Sequence, residues 1–207
     1  MNTKYEFTGE TKIVYGRTLR RIKAIVAIGA TVAPGDIGGW IESENNLSVS
    51  GNAWVYGDAM VYGNAEVSGD ASVSGNARVH DNACVYGNAM VSGNAIVFGK
   101  AEVYGNASVY GDAMVSGNAS VSGNASVSGN ARVFGDEDYM TFKNSWSSGR
   151  WFTYTTSNKK WSVGCFYGTG DELVRKAYSD SELSGKCYEA IVRAVETIEA
   201  AKGSEVK

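Results

Sequence analysis

The chain has 207 residues, enough for one or two modest domains, and its 19 basic and 22 acidic residues leave a formal net charge of −3. That balance excludes a global basic footprint for nucleic acid. Three scattered cysteines, no CxxC pair and a single histidine argue against a structural zinc site and suit a reducing compartment. The N-terminus has no apolar signal core, and no run of about 18 apolar residues offers a membrane span, so a cytoplasmic protein is expected.

Residues 1–48 contain IVYGRTLRRIKAIVAI, which reads as two strands turning near Gly16-Arg17. Pro34-Gly35 and Gly38-Gly39 are expected to mark turns ahead of Trp40-Ile41. This segment is expected to be an N-terminal β cap, with Trp54, Tyr56, Met60 and Tyr62 of the following region packing against it.

From Val49 the chain repeats every six residues, VSGNAW VYGDAM VYGNAE VSGDAS and onward, for 14 uninterrupted hexads ending at Arg132; a fifteenth, VFGDED, loses its alanine. Valine is invariant at position one and alanine at position five of those 14. Six is a multiple of the strand period of two, so both point inward while positions two and six point outward. Glycine at position three permits φ > 0, and Asn or Asp at position four suits a tight turn. Stacked coils, each strand pairing with those above and below, satisfy so strict a pattern; hairpin loops would interrupt it. The glycines of this region are thus periodic, which excludes a flexible linker.

The phase Val-x-Gly-Asn/Asp-Ala-x resembles the hexapeptide repeat of left-handed parallel β-helix proteins. The resemblance implies a left-handed coil of three hexads, about five coils in residues 49–138, and a homo-oligomer, a trimer being usual for enzymes of this kind. That family includes acyltransferases, nucleotidyltransferases and purely structural members.

Residues 139–207 read as a small α+β domain. Trp151–Thr155 and Trp161–Phe166 suggest a hairpin about Ser157–Lys160. Thr169 and Glu172 have capping-box spacing for a first helix. A second, near Ser184–Ala201, carries Tyr188, Ile191, Val192, Val195 and Ile198 on one stripe. The stretches GCFYGTGDEL and GDIGGWIESENNLS resemble segments of phage and prophage hexapeptide-repeat proteins, some of them labelled transferases.

Three sets of residues are candidates for chemistry or contact. His80 is the one enzymatic candidate, since acyltransferases resembling this fold use a histidine as base; yet it sits at an outward position of coils without a loop to build an acceptor pocket. Tyr86, Met90 and Tyr104 on one expected face, and Ile96, Tyr110 and Met114 on the next, concentrate six large apolar groups on a serine-rich rod and suggest an oligomer or partner contact. Trp151 and Trp161 lie among Arg150, Lys159 and Lys160, a pattern that can stack on nucleobases, although burial of the aromatic face against the helix stripe is the favoured reading. The Asn/Asp row lacks a calcium-binding pattern and reads as turn chemistry. With nine acidic and three basic residues between Leu47 and Asp138, DNA mimicry finds too low a charge density. GTGDE lacks the phosphate-loop pattern.

The sequence therefore favours a mainly β, non-enzymatic binding or scaffold protein, phage-encoded, without cofactor or metal and without membrane or nucleic-acid partners. It would contact a host protein or sequester a small ligand, with a role against host defence in view. An acyl-CoA-dependent acyltransferase and a virion or assembly component are the alternatives.

Overall fold

The structure is a computed structural model describing residues 2–204. The chain divides into two compact units, Met1–Asp138 and Tyr139–Lys207.

The first unit is mainly β. A hairpin of β1 (Tyr5–Val14) and β2 (Arg17–Ala24) is followed by β3 (Ile37–Ile41) and then by fourteen two-residue strands, from β4 (Trp54–Val55) to β17 (Arg132–Val133), spaced six residues apart. Each short strand joins position six of one hexad to position one of the next. Parallel, in-register pairing recurs every 18 residues, as in Ile96↔Met114 and Val97↔Val115, which makes a β-solenoid of about five turns. Three stacks result: β1-β2-β3-β5-β8-β11-β14-β17, β16-β13-β10-β7-β4 and β15-β12-β9-β6.

The inward pattern follows the sequence closely. The position-one valines from Val55 to Val133 are fully buried, and the position-five alanines are at most 1% exposed. Val49, at the start of the repeat, is half exposed; the core begins at Ala53-Trp54. The glycines are needed for backbone approach as well as conformation: a β-carbon on Gly69, which has φ +67°, would lie 2.9 Å from the Gly87 nitrogen.

The last part of the N-terminal segment extends the solenoid. Strand β3 pairs in parallel with β5, Trp40 against Met60, and Leu47 bridges Val67, so residues 37–48 stand in for a preceding coil. The buried Asn46 amide donates to the Gly63 and Ala65 carbonyls at 3.0 and 2.8 Å, and its oxygen accepts from the Glu42 and Ser43 N–H groups. One side chain thereby satisfies backbone groups that the open end of a coil leaves unpaired. Gly38-Gly39 is not a turn, as expected, but lies within β3. A β-carbon on Gly39 would sit 2.6 Å from Val55 Cγ1 and 2.7 Å from the Ala59 carbonyl oxygen, so this strand can reach the first coil only without side chains there. Trp54 and Tyr62 are buried, Met60 packs with Leu19, Trp40 and Tyr62, and the Tyr56 hydroxyl meets Thr31 Oγ1 at 3.0 Å.

The second unit is an antiparallel sheet, β18 (Tyr139–Lys143), β19 (Trp151–Thr155), β20 (Lys160–Val163) and β21 (Phe166–Gly168), with α1 (Gly170–Asp180) and α2 (Glu182–Ser204). The expected hairpin is thus the middle of four strands: a turn at Gly164-Cys165 divides the second arm, and β18 pairs with β19. Thr169 Oγ1 accepts from the Glu172 N–H at the α1 N-cap, and the Glu172 carboxylate accepts from the Thr169 N–H. Phe152, Tyr154, Trp161, Val163, Leu173, Val192 and Val195 form the core, with Tyr188 and Ile191 packed on it. Ile198, placed by its spacing on that stripe, is exposed.

Candidate functional site

Where the coil turns its corners decides which outward residues meet. The bend falls at positions three and four, so position two lies on the same face as position six of the preceding hexad, across the corner from position six of its own. The stack containing β5, β8, β11 and β14 consequently presents Met60, Arg78, Ile96 and Met114 in one column and Tyr62, His80, Phe98 and Ser116 in the next. Successive rungs are one strand spacing apart, about 4.8 Å, which is close to aromatic stacking distance. Tyr62 and His80 stack with ring centroids 4.9 Å apart at 9°, and His80 and Phe98 at 5.2 Å and 15°.

The tip of the β1–β2 hairpin reaches the same face. Tyr15, exposed and in the left-handed region at φ 49°, accepts a hydrogen bond from Arg78 Nη1 at 2.9 Å. Arg17 donates to both carboxylate oxygens of Glu42 at 3.0 and 3.1 Å, and Glu42 also accepts from the Gly63 N–H. Between tip and solenoid lies a cleft of about 420 Å³, with Arg78 and Tyr15 at its polar side and Tyr62, Ile96, Phe98 and Met114 as apolar wall. Burial raises the pKa of the Tyr62 phenol above its ordinary value.

His80 is on the edge of this cleft. Its Nδ1 lies 3.2 Å from Asp81 Oδ1, and both faces of its ring are covered by Tyr62 and Phe98. Asp81 replaces the glycine of its hexad and holds the glycine backbone, φ 62°; its Oδ2 accepts from the Gly99 N–H at 3.3 Å. Asp81 therefore engages Nδ1, and Nε2 is the ring nitrogen left to another molecule.

The six apolar residues expected on two adjoining faces are spread over three, which corrects the grouping. Position two and position six of one hexad fall on different faces because the bend lies between them. Tyr86 and Tyr104 stack at 4.9 Å and 1° beside Glu66, Cys84 and Glu102. The Tyr86 hydroxyl donates to Glu102 Oε2 at 2.9 Å, and burial first, then Glu102, push its pKa up to about 12. Met90, half exposed, and Tyr110 belong to the face of β4, β7, β10, β13 and β16. Ile96 and Met114 line the cleft. In the second unit Trp161 is 2% exposed and part of the core, so it offers no surface to a base or a partner; Trp151 is half-buried, with the Lys143 ammonium 5.8 Å from its ring centre. Trp151 and Trp161 therefore do not form one exposed stacking platform.

The Asn/Asp row is a hydrogen-bonded ladder. Asn64 donates to Asn82, Asn76 to Asn94 and Asn88 to Asn106, each across one coil at 3.1 to 3.2 Å. Among the described residues, no group of three His, Cys, Asp or Glu side chains could hold a metal ion. No helix of the described residues is long and apolar enough to cross a membrane.

Three segments of the chain, 53–69, 83–99 and 107–123, match the family model of the YdcK Beta solenoid repeat. The chain is a repeat β-solenoid protein. The matched segments all lie in the stacked coils described above, and the second includes Tyr86, Met90, Ile96 and Phe98. A comparison with curated proteins finds no match.

Reasoning from sequence missed the Arg78–Tyr15 contact and the partners of His80. The 18-residue spacing of Tyr62, His80 and Phe98 was a usable signal for the stack. Nothing in the spacing of Tyr15 and Arg17 announces that the hairpin returns to this face.

Proposed function

We propose that the protein is a non-enzymatic binding or scaffold protein, in which the solenoid holds side chains at fixed spacing and the cleft beneath the β1–β2 tip engages a small ligand or a host protein. The observation that supports this most is the Tyr62–His80–Phe98 stack beside Arg78: a preordered aromatic and cationic surface whose histidine has its ring faces covered and Nδ1 engaged by Asp81. The wider reading keeps the left-handed hexapeptide-repeat coil, a phage or prophage source, residence in the host cytoplasm, a homotrimer and action against a host defence system. It rests on the resemblance of the repeat and of the GCFYGTGDEL and GDIGGWIESENNLS stretches.

The acyltransferase reading draws support from one observation: the His80–Asp81 pair borders a cleft, and Asp81 engages Nδ1 and not Nε2. The two readings separate in an acetyl-CoA assay followed by thiol release. General-base catalysis contributes about 10²–10⁴-fold. The binding reading expects no turnover that depends on His80; a loss of that size in His80→Ala against an active wild type overturns it. The binding reading further expects affinity capture from host lysate to retain a protein or small molecule that Phe98→Ser loses.

A further inference from the structure

We infer that the cleft beneath the hairpin tip selects a small anion carrying an apolar ring system, with Arg78 as its anion-binding group. The inference rests on the binding reading above and names the class of ligand.

The wall of the cleft and its charge carry the argument. The cleft, about 420 Å³, falls within the roughly 300–1,000 Å³ of small-molecule sites. Ile96 and Phe98 on one coil and Met114 on the next supply apolar surface over two successive coils, enough for a bicyclic ring and not only a small ion.

The charged groups around this wall are nearly all engaged with one another. Glu42 is held by Arg17 and by the Gly63 N–H. Asp81 is held by His80 and the Gly99 N–H. Arg78 differs: its described partner is the neutral phenol of Tyr15, and no carboxylate stands within ion-pair distance of it among the described residues. A guanidinium in a partly apolar cleft with only one of its five N–H donors so occupied is a fork matched to a carboxylate, sulfonate or phosphate. Tyr15, on an exposed turn, can yield that donor to a ligand oxygen at little cost. The ring system would then lie along Phe98, Ile96 and Met114. A cation would meet Arg78 and Arg17, and a neutral ring would leave Arg78 unused.

Fluorescence titration of the full chain with 1-naphthyl phosphate, 1-naphthol and inorganic phosphate (the last in competition) tests this. The inference expects 1-naphthyl phosphate to bind roughly 10- to 100-fold more tightly than either of the others. Arg78→Gln should remove that advantage while leaving 1-naphthol unchanged, and Phe98→Ser should weaken both ring compounds. Both variants should fold, because Ile96 and Met114 already occupy the Arg78 column and Ser116 the Phe98 column; unchanged circular dichroism and melting temperature verify this. Equal affinity for phosphate ester and naphthol, or an Arg78→Gln variant that binds the ester as well as wild type, overturns the inference. So does the absence of binding by all three probes, which leaves the broader binding reading to the acetyl-CoA and capture experiments. Light scattering on the same samples supplies a further arm: if Arg78→Gln lowers the particle mass and leaves probe affinity alone, a second copy covers this face and the small-anion inference fails.

Discussion

Asp81 stands in the glycine position of its hexad, in the left-handed region at φ 62°, and sets a carboxylate oxygen 3.2 Å from Nδ1 of the preceding His80. A residue with a β-carbon is disfavoured there by about 1–2 kcal/mol, less for Asp, whose side chain can bond locally. Two contacts offset the cost, the one to His80 and the one to the Gly99 N–H. Asp81→Ala keeps the backbone strain and loses both contacts, whereas Asp81→Gly loses the contacts and the strain together. The expected order in urea melts is therefore wild type and Asp81→Gly within about 1 kcal/mol of each other, and Asp81→Ala below both by about 1–2 kcal/mol. An Ala variant as stable as the Gly variant would show that the backbone here is unstrained.

Val91 and Ser92 are adjacent, yet one is fully buried and the other only partly so. Val91→Asp places a charge in an interior built from valine and alanine and should cost several kcal/mol, on the order of 3–5. Ser92→Asp, on the outward side of the same hexad, should stay within about 0.5 kcal/mol of wild type. Equal melting temperatures for the two would overturn the inward and outward assignment.

The contrast between those neighbours also shows what was legible beforehand. Val91 reads as core because a period of six preserves the alternation of a strand, so repetition alone fixes which side chains face in. Asn46 and Gly39 carry no such periodic signal. Their importance comes from where the chain meets the first coil: an amide that fills carbonyls at an open end, and a missing β-carbon that lets β3 approach Val55. Likewise Gly38-Gly39 has the composition of a turn, and only tertiary approach explains its place in a strand. The candidate site was half readable. His80 and its Asp81 neighbour stood out by composition, but the cleft depends on a hairpin returning to Arg78 from 63 residues away.

The N-terminal strand gives the protein an alkaline stability profile with two opposed arms. Lys4 is buried, its ammonium donating to the Ser48 carbonyl at 2.9 Å, and burial lowers its pKa from 10.5 to about 8. Between those values the unfolded chain holds a proton that the folded chain has released, so stability rises with pH through that window. Tyr5 is also buried, its hydroxyl donating to the Leu47 carbonyl, and burial foremost raises its pKa from 10.0 to about 12. There the folded chain keeps a proton that the unfolded chain loses, so the Tyr5 contribution is complete below pH 10 and is lost as pH rises towards 12. Unfolding free energies measured from pH 7 to 11 should show Lys4→Met with a flatter rise above pH 8 and Tyr5→Phe with a flatter fall above pH 10. Slopes that match wild type in both variants would mean that neither group titrates differently on folding.

The division of outward residues among three faces can be measured through pairwise coupling. Tyr86 and Tyr104 occupy the same column one coil apart and stack at 4.9 Å, so each covers apolar surface of the other. Tyr86 and Met90 belong to one hexad, but the bend at Gly87-Asn88 sends them to different faces. A double-mutant cycle isolates such contacts, because the energies of truncations that do not touch add, and those of packed neighbours do not. Serine is the suitable replacement, since it already fills these columns at Ser68, Ser122 and Ser72, and a local collapse of the coil is not expected. The Tyr86→Ser/Tyr104→Ser cycle should return a coupling of about 0.5–1.5 kcal/mol, the range for aromatic pairs. The Tyr86→Ser/Met90→Ser cycle should return none beyond about 0.3–0.5 kcal/mol, the usual scatter of additive pairs. If the second pair couples as strongly as the first, the two side chains meet, the corner of the coil lies elsewhere, and the His80 cleft must be redrawn with it.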